Sequence, residues 1–466
     1  MRAVAPQAAA RVGRIRLAAL LAASYGLRVW LAVSGGQAYW PDEARYGITR
    51  EAAYDFAHHN WSLAFAGLSG GADHVLFRWV GLPAALLEYI VGGTHPALAA
   101  CYFSLFSVGA IYLVWAVALR AGASDSEALW AAFFAGASNG LFYYSRHYLP
   151  YDVALFEMLL ALWLAVGPWS PGASFLVGAA AGLGFLTYNG YWLLGACVLI
   201  LFVVLGAGGI RLLAARASLA FAGLVLPIAL FVALGAAVSG GILRSYFQFA
   251  QSVRQGEFHV GFRVVPEYLW RSEGPFLCVL LAAFGYSLAS ARAGSESRRI
   301  RWWAASVAFL YGGLVFFSDV VPAFMVYGRL SRCLVPFLCL GAGSGAARLL
   351  SGPGRSRRPW SAALFLVVLL CAAANFAAPL RQVFPVQFLR MLAQRVSQVP
   401  AGSYYFLRVL NTETMWGRPL DSATRSPGED ELLRSANPIQ FRPYQFEGFT
   451  TAQRRQLNSN DLAMQV

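Results

Sequence analysis

The chain has 466 residues, of which 58% are hydrophobic and only 12% charged, and its formal net charge is +14. Soluble domains carry about 25% charged residues, so a soluble enzyme is excluded, and at about 20 apolar residues per span the hydrophobic content suffices for about a dozen crossings. The apolar stretches are long and continuous, which argues against an outer-membrane barrel, and the Arg residues are scattered over short loops as topology signals, so no nucleic-acid partner is expected.

The first apolar run, residues 17–33, follows Arg2, Arg11, Arg14 and Arg16, which places the N-terminus in the cytoplasm. Arg28 inside the run and the bulky Trp30-Leu31 near its end favour an uncleaved helix over a signal peptide. A polar stretch at 35–76 comes next. Within it Ile48, Ala52, Ala53 and Phe56 share one face at helical spacing, with Arg50, Glu51, Asp55 and His58 on another, which predicts a helix lying along the membrane surface.

Further apolar segments fall near 77–93, 96–119, 127–143, 150–168, 173–189, 190–207, 217–240, 274–291, 302–318, 330–350 and 360–380, making twelve with the first. Arg211 and Arg216, the group from Arg292 to Arg301, and the group from Arg348 to Arg358 assign three loops to the cytoplasm. Residues 144–152, 241–273, 319–329 and the tail from 381 then lie outside. A cytoplasmic start and an external tail need an odd number of crossings, so twelve is wrong by one, and the conflict falls between 77 and 95 or within 173–207. The reading is an all-α polytopic membrane protein of about 11–13 transmembrane helices. It comprises a membrane domain, 1–380, and a small external C-terminal domain, 381–466, whose 86 residues include ten Arg and seven acids. The six cysteines all sit in apolar segments without Cys-x-x-Cys spacing, so neither a disulfide nor zinc is expected.

Several residues offer chemistry. Asp42 follows Pro41 and precedes the amphipathic stretch; it suits an N-cap, or a general base held where water meets lipid. On the external side Arg45, Arg78, Arg146, Arg263, Arg271, Arg329 and Arg332 suit phosphate, because a guanidinium donates two hydrogen bonds at once and stays charged. Each of them alternatively reads as a snorkelling boundary Arg. Asp152 opens an apolar segment next to Arg146 and His147 and reads as a cap or an ion pair, or as a residue that orients the acceptor or serves as a catalytic Asp. Glu88 and Glu157 lie inside apolar segments, where a carboxylate is costly, and structural pairing is expected of both. His58, His59 and His74 make a poor metal site, since adjacent histidines on a helix point apart.

The stretch Asp42-Glu43-Ala44-Arg45-Tyr46 just after the first membrane helix resembles the opening signature of the C-type (GT-C) glycosyltransferases, which include protein O-mannosyltransferases and the lipid A aminoarabinose transferase. Tyr143 to Asp152 is similar to that superfamily's second external motif. Gly178 to Asn189 is similar to its Gly-Leu-x-x-Leu-Thr-Lys segment, with Tyr188 where Lys is usual, and Tyr327 to Pro336 to its late Arg-Tyr-x-x-Pro segment. The resemblance covers about residues 14–345; the tail matches none of it.

The resemblance implies a GT-C fold and an inverting glycosyltransferase. A hexose or pentose would pass from a polyprenyl phosphate to an envelope lipid, glycan or protein on the external, periplasmic face of the bacterial inner membrane. Asp42 would be the base, with Glu43 and Asp152 shaping the catalytic site. Arg45, Arg78, Arg146, Arg329 and Arg332 would hold the donor phosphate, and Tyr46, His147 and Tyr151 would line the acceptor side. No cofactor is implied, and because no Asp-x-Asp occurs in the sequence, a divalent metal is disfavoured. The rival from another class is a transporter or flippase of polyprenyl-linked glycans. Against it stand the lack of paired halves and the Asp-Glu loop after the first helix, for which a transporter has no use. An inactive relative serving as an assembly partner is a third reading.

Overall fold

The computed structural model describes residues 4–33, 44–70, 74–91, 96–146, 148–205, 209–239, 261–291, 294–321, 326, 328–351 and 358–381. The expected C-terminal domain, Asp42, Glu43 and His147 lie outside these residues, as do the side chains of Arg45 and Arg146. All regular structure among them is helical. In chain order the helices are α1 (Val4–Val33), α2 (Ala44–Ala57), α3 (Trp61–Ser69), α4 (Val75–Ile90), α5 (Pro96–Arg120), α6 (Asp125–Ala137), α7 (Asn139–Phe142), α8 (Pro150–Ala165), α9 (Pro171–Thr187) and α10 (Trp192–Val204). They continue as α11 (Ile210–Ser239), α12 (Gly261–Glu273), α13 (Pro275–Ser290), α14 (Ser295–Val315), α15 (Val335–Ser351) and α16 (Arg358–Arg381).

Local chemistry sets many of these boundaries. Ser124 and Glu127 form a reciprocal capping box that starts α6. Pro150, Pro171 and Pro275 occupy first-turn positions of α8, α9 and α13, where a missing N–H costs nothing. Between α12 and α13 the chain bends by 110° at Gly274, whose φ of +52° favours glycine. The bend turns α12, whose Arg263 and Arg271 pair with Glu267 on an exposed face, away from the apolar α13.

Four helical stretches, Leu98–Arg120, Ile210–Val238, Ser295–Val320 and Arg329–Leu350, are long and apolar enough to cross a membrane alone, and the bent pair α12–α13 makes five if counted as one span. Pro171–Thr187, Asn189–Val204 and Ala362–Asn375 are shorter apolar helices. The protein is therefore a multi-pass membrane protein, and a helix overlaps each predicted apolar segment, with α1 beginning 13 residues, and α11 and α14 seven residues, before the segment they overlap. One difference matters for the site: the predicted 127–143 segment breaks at Ser138, which is extended. The two regions carrying the parity conflict hold α4, a 16-residue helix with Arg78 and Glu88 buried in it, and the short helices α9 and α10.

Helices approach at backbone distance where small residues face each other, the means of association left when lipid tails are as apolar as side chains. Gly178 and Gly182 of α9 meet Ala220 and Leu224 of α11, and a Cβ at Gly178 would fall 1.8 Å from the Ala220 carbonyl oxygen. The last helix of the core, α15, is mostly enclosed, whereas α11 exposes Phe221, Leu226 and Leu230, as expected of a lipid-facing surface.

Candidate active site

Three interruptions in the helices meet at one end of the bundle. They are the turn from Ser138 to Leu149, the turn Asn189–Tyr191 between α9 and α10, and the 3-10 turn Gly328–Leu334 ahead of α15. Irregular backbone at membrane depth persists only where its polar groups find partners inside the protein. Here the partners are side chains. Asn375 of α16 donates to the Ala137 carbonyl (2.9 Å), Ser107 of α5 to Leu141 (3.1 Å), Ser104 to Ser145 (3.0 Å) and Arg332 Nε to Gly140 (2.7 Å). The N–H groups that open α7 are taken by the fully buried Glu273, which accepts from Asn139 N–H (3.0 Å), Gly140 N–H (2.8 Å) and the Ser138 hydroxyl (2.5 Å). A carboxylate at a helix start also suits the local dipole.

This turn delivers Tyr144, Tyr151 and Asp152 to a common space. Asp152, in the first turn of α8, accepts an ion-pairing hydrogen bond on Oδ1 from Nη2 of Arg332, which is wholly buried. Asp152 thus forms an ion pair, one of the roles read for it, with Arg332, 180 positions away along the chain. Tyr144 covers the Arg332 guanidinium at 4.6 Å, and Tyr151 lies under Arg329 at 5.2 Å. Tyr151 abuts Tyr144 and Tyr188 edge-on at 5.1 and 4.8 Å, Tyr188 meets Tyr191 at 5.0 Å and His74 at 5.2 Å, and the Tyr144 and Tyr268 hydroxyls share a hydrogen bond of 3.2 Å. Arg28 of α1, nearly fully buried, donates to Ser107 Oγ (3.2 Å) and to the Ser24 carbonyl (3.0 Å) beneath Phe142.

In this aromatic enclosure Arg332 Nη1, Asp152 Oδ2, Arg28 Nη2 and the Tyr191 hydroxyl are buried without a hydrogen-bonding partner. Such atoms are uncommon in folded proteins and mark functional places or a missing ligand. Arg28 and Arg332, both buried, stand beside Asp152, and Arg329 lies over Tyr151. The enclosure therefore favours an anion, with one acceptor left for a hydroxyl.

Two more of the expected site residues have described side chains, Arg78 and Tyr46, and both are engaged in packing. Arg78 donates to the Gly67 (3.0 Å) and Gly70 (2.5 Å) carbonyls and ties down the end of α3. Tyr46 is wholly buried, packed on Phe103 and Tyr148, and it covers Arg50 at 4.6 Å. Arg50, expected on the polar face of α2, is turned inward instead. It forms a bidentate pair with Glu88 (2.6 and 2.7 Å), which gives Glu88 the structural partner expected of it. His58 lies against Tyr54 at 3.9 Å, and among the described residues no three metal-ligating side chains converge.

The sequence reading did not single out Glu273, Asn375, Tyr144, Tyr191 or Tyr268 as site residues. Only Glu273 and Asn375 carried a signal, a carboxylate and an amide beside or within apolar helices. Tyr188, noted for standing where Lys is usual, sits inside the aromatic enclosure.

No known family profile matches the chain, and no curated protein does. Among solved structures it is similar to ArnT from Cupriavidus metallidurans, bound to undecaprenyl phosphate, at 16% identity over 86% of this chain and 74% of that one, with a TM-score of 0.49. It is also similar to the archaeal oligosaccharyltransferase AglB from Archaeoglobus fulgidus, in complex with an inhibitory peptide and a dolichol-phosphate, at 10% identity over 87% of this chain and 61% of that one, with a TM-score of 0.46. The apo form of the Archaeoglobus fulgidus enzyme gives 12%, 92%, 60% and 0.45, so the chain spans about three fifths of that protein.

Proposed function

We propose that this chain is a GT-C glycosyltransferase that moves one sugar from a polyprenyl phosphate to an envelope acceptor, with inversion, on the periplasmic face of the bacterial inner membrane. The N-terminus is then cytoplasmic and the C-terminal domain periplasmic. The observation that carries the reading is the buried Arg332–Asp152 pair inside a ring of tyrosines, with Arg332 Nη1 and Asp152 Oδ2 both unspent.

In the reaction the acceptor oxygen attacks the anomeric carbon, the bond from that carbon to the phosphate oxygen breaks, and the hydroxyl proton goes to a base. Negative charge builds on the departing phosphate, and fixed, desolvated cations lower the barrier most where that charge appears. Arg332 and Arg329 fill this role, and Arg146 from the same turn is a third candidate. Asp42 is the base, Glu43, next to it in sequence, shapes the site, and Asp152 Oδ2 orients a hydroxyl. No divalent ion enters the proposal.

The test is a transfer assay on the full chain in nanodiscs with radiolabelled polyprenyl-phosphate sugars. Wild type releases polyprenyl phosphate and Asp42→Asn does not. An Asp42→Asn protein that inserts normally and transfers at the wild-type rate would sink the assignment. Binding of labelled lipid without turnover, weakened in Arg329→Ala, would move the weight to a carrier.

A further inference from the structure

Thirteen residues along α8 from Asp152, about 20 Å at 1.5 Å per residue, Ala165 borders a second polar space. It is a half-open cavity of about 400 Å³ bordered by the ends of α5, α8 and α10 and the beginnings of α11 and α14. Arg120, Arg216, Arg298 and Arg299 line it, together with Trp169 and Trp302. Among the described residues only Arg299 of these four has a carboxylate partner, Glu127 at 2.8 Å. Arg216 is 5% exposed; its Nη2 donates to the Phe202 carbonyl (2.7 Å). Arg120 lies over the Trp163 ring at 4.0 Å.

Four buried N–H donors on this lining have no acceptor: Nε of Arg120, Arg216 and Arg299, and Nε1 of Trp302. Arg216 and Arg299 are both more than nine-tenths buried, so the cost of leaving charged donors without partners is considerable. Two further features agree. The cavity takes in Ser295, the first residue of α14, where unsatisfied backbone N–H groups and the helix dipole favour an anion. The acid of that turn, Glu296, is engaged by Arg348 and does not line the cavity. Gly167 is the second feature: a Cβ there would overlap the Arg120 guanidinium, at 2.0 Å from Nη2, so glycine is what allows Arg120 to lie where it does.

We propose that this cavity binds a phosphate group at the Arg-rich end of the bundle, carried by the headgroup of an anionic membrane lipid or by free phosphate. Guanidinium forks match phosphate oxygens, and basic pockets between membrane helices bordered by Trp at headgroup level suit such lipids. The site is separate from the Arg332 enclosure and does not depend on the transfer reaction.

The full chain is placed in nanodiscs of phosphatidylcholine alone and of phosphatidylcholine with phosphatidylglycerol in equal parts, and retained lipid is read by native mass spectrometry. A parallel arm titrates inorganic phosphate into lipid-depleted protein and reads the thermal midpoint. Wild type is expected to retain phosphatidylglycerol over phosphatidylcholine. Arg216→Gln should lower that retention at least about tenfold, the scale of one charged hydrogen bond. Arg298→Gln, on the exposed rim, and Gly167→Ala, which displaces Arg120, should lower it by smaller factors without disturbing the fold. A midpoint raised by phosphate with no retained lipid upholds the phosphate chemistry and assigns a soluble source. Equal retention of both lipids with no phosphate shift overturns the proposal, as does unchanged retention in correctly folded Arg298→Gln and Gly167→Ala.

Discussion

Among the described residues two Arg–carboxylate pairs have both partners buried, and they are built differently. Arg50 and Glu88 join α2 to α4 through two hydrogen bonds, so that both carboxylate oxygens are used, and the guanidinium lies between the Tyr46 and Tyr148 rings at 4.6 and 5.2 Å. Arg332 and Asp152 join through one oxygen, with Tyr144 on the guanidinium and an unpartnered atom remaining on each side. Taking both charges out of water costs several kcal/mol per ion. The saturated pair recovers that cost within the fold and has nothing left for a ligand. The unsaturated pair leaves it partly unrecovered, and a phosphate oxygen at Arg332 Nη1 with a hydroxyl at Asp152 Oδ2 would complete it.

The sharpest way to break this contrast is to unpair the saturated site. Glu88→Ala leaves Arg50 buried without its counter-charge and should destabilise the protein by about 3–5 kcal/mol, visible as a lower thermal midpoint in detergent. The double change Arg50→Met with Glu88→Leu should recover most of that loss, because apolar replacements of buried pairs are often neutral. If the double variant is as unstable as the single one, the pair does more than hold α2 to α4.

Arg332→Gln should act on the other axis. Turnover of a polyprenyl-phosphate sugar should fall about 10²–10³-fold, the usual cost of removing one donor aimed at developing charge, read in the nanodisc assay. Retained activity would place the phosphate elsewhere. Tyr268→Phe removes one hydroxyl hydrogen bond to Tyr144 and should cost about 1 kcal/mol. Measured as a midpoint shift, a change several times larger would show that the Tyr268 hydroxyl holds the enclosure together.

The smallest effect expected is a flat one. Burial lowers the pKa of the Arg50 guanidinium, but the hydrogen bond and charge of Glu88 outweigh burial and hold it above its ordinary value. A folded-state pKa raised in this way stabilises at every pH below the ordinary Arg range and is lost only as pH climbs through the raised value. The contribution of Arg50 should therefore stay constant between roughly pH 6 and 9. A midpoint that falls over this window in wild type, but not in the Arg50→Met, Glu88→Leu protein, would contradict it.

How much of this was legible beforehand differs by residue. The apolar segments became helices because hydropathy is a local property, and Ala52 and Ala53 face inward as the period of α2 required. Arg50 does not follow that period. Its periodic neighbours are polar, and only the nearby Glu88 on another helix explains why it is buried. Asp152 and Arg332 were both named from separate motifs, while their meeting was not foreseen. Glu273 and Asn375 were passed over, although together they satisfy the Ala137 carbonyl and the N–H groups opening α7.

By itself, then, the sequence determined that this is a helical membrane protein, where most of its helices run, and which short motifs hold its unusual charges. Composition and spacing carry that information because insertion into lipid depends on each segment's own apolar length. Only the tertiary structure decided which of those charges face one another. Ion pairing acts over a few ångströms and takes its partners from anywhere in the chain, so the saturated Arg50–Glu88 pair and the open Arg332–Asp152 pair look alike until the helices are packed.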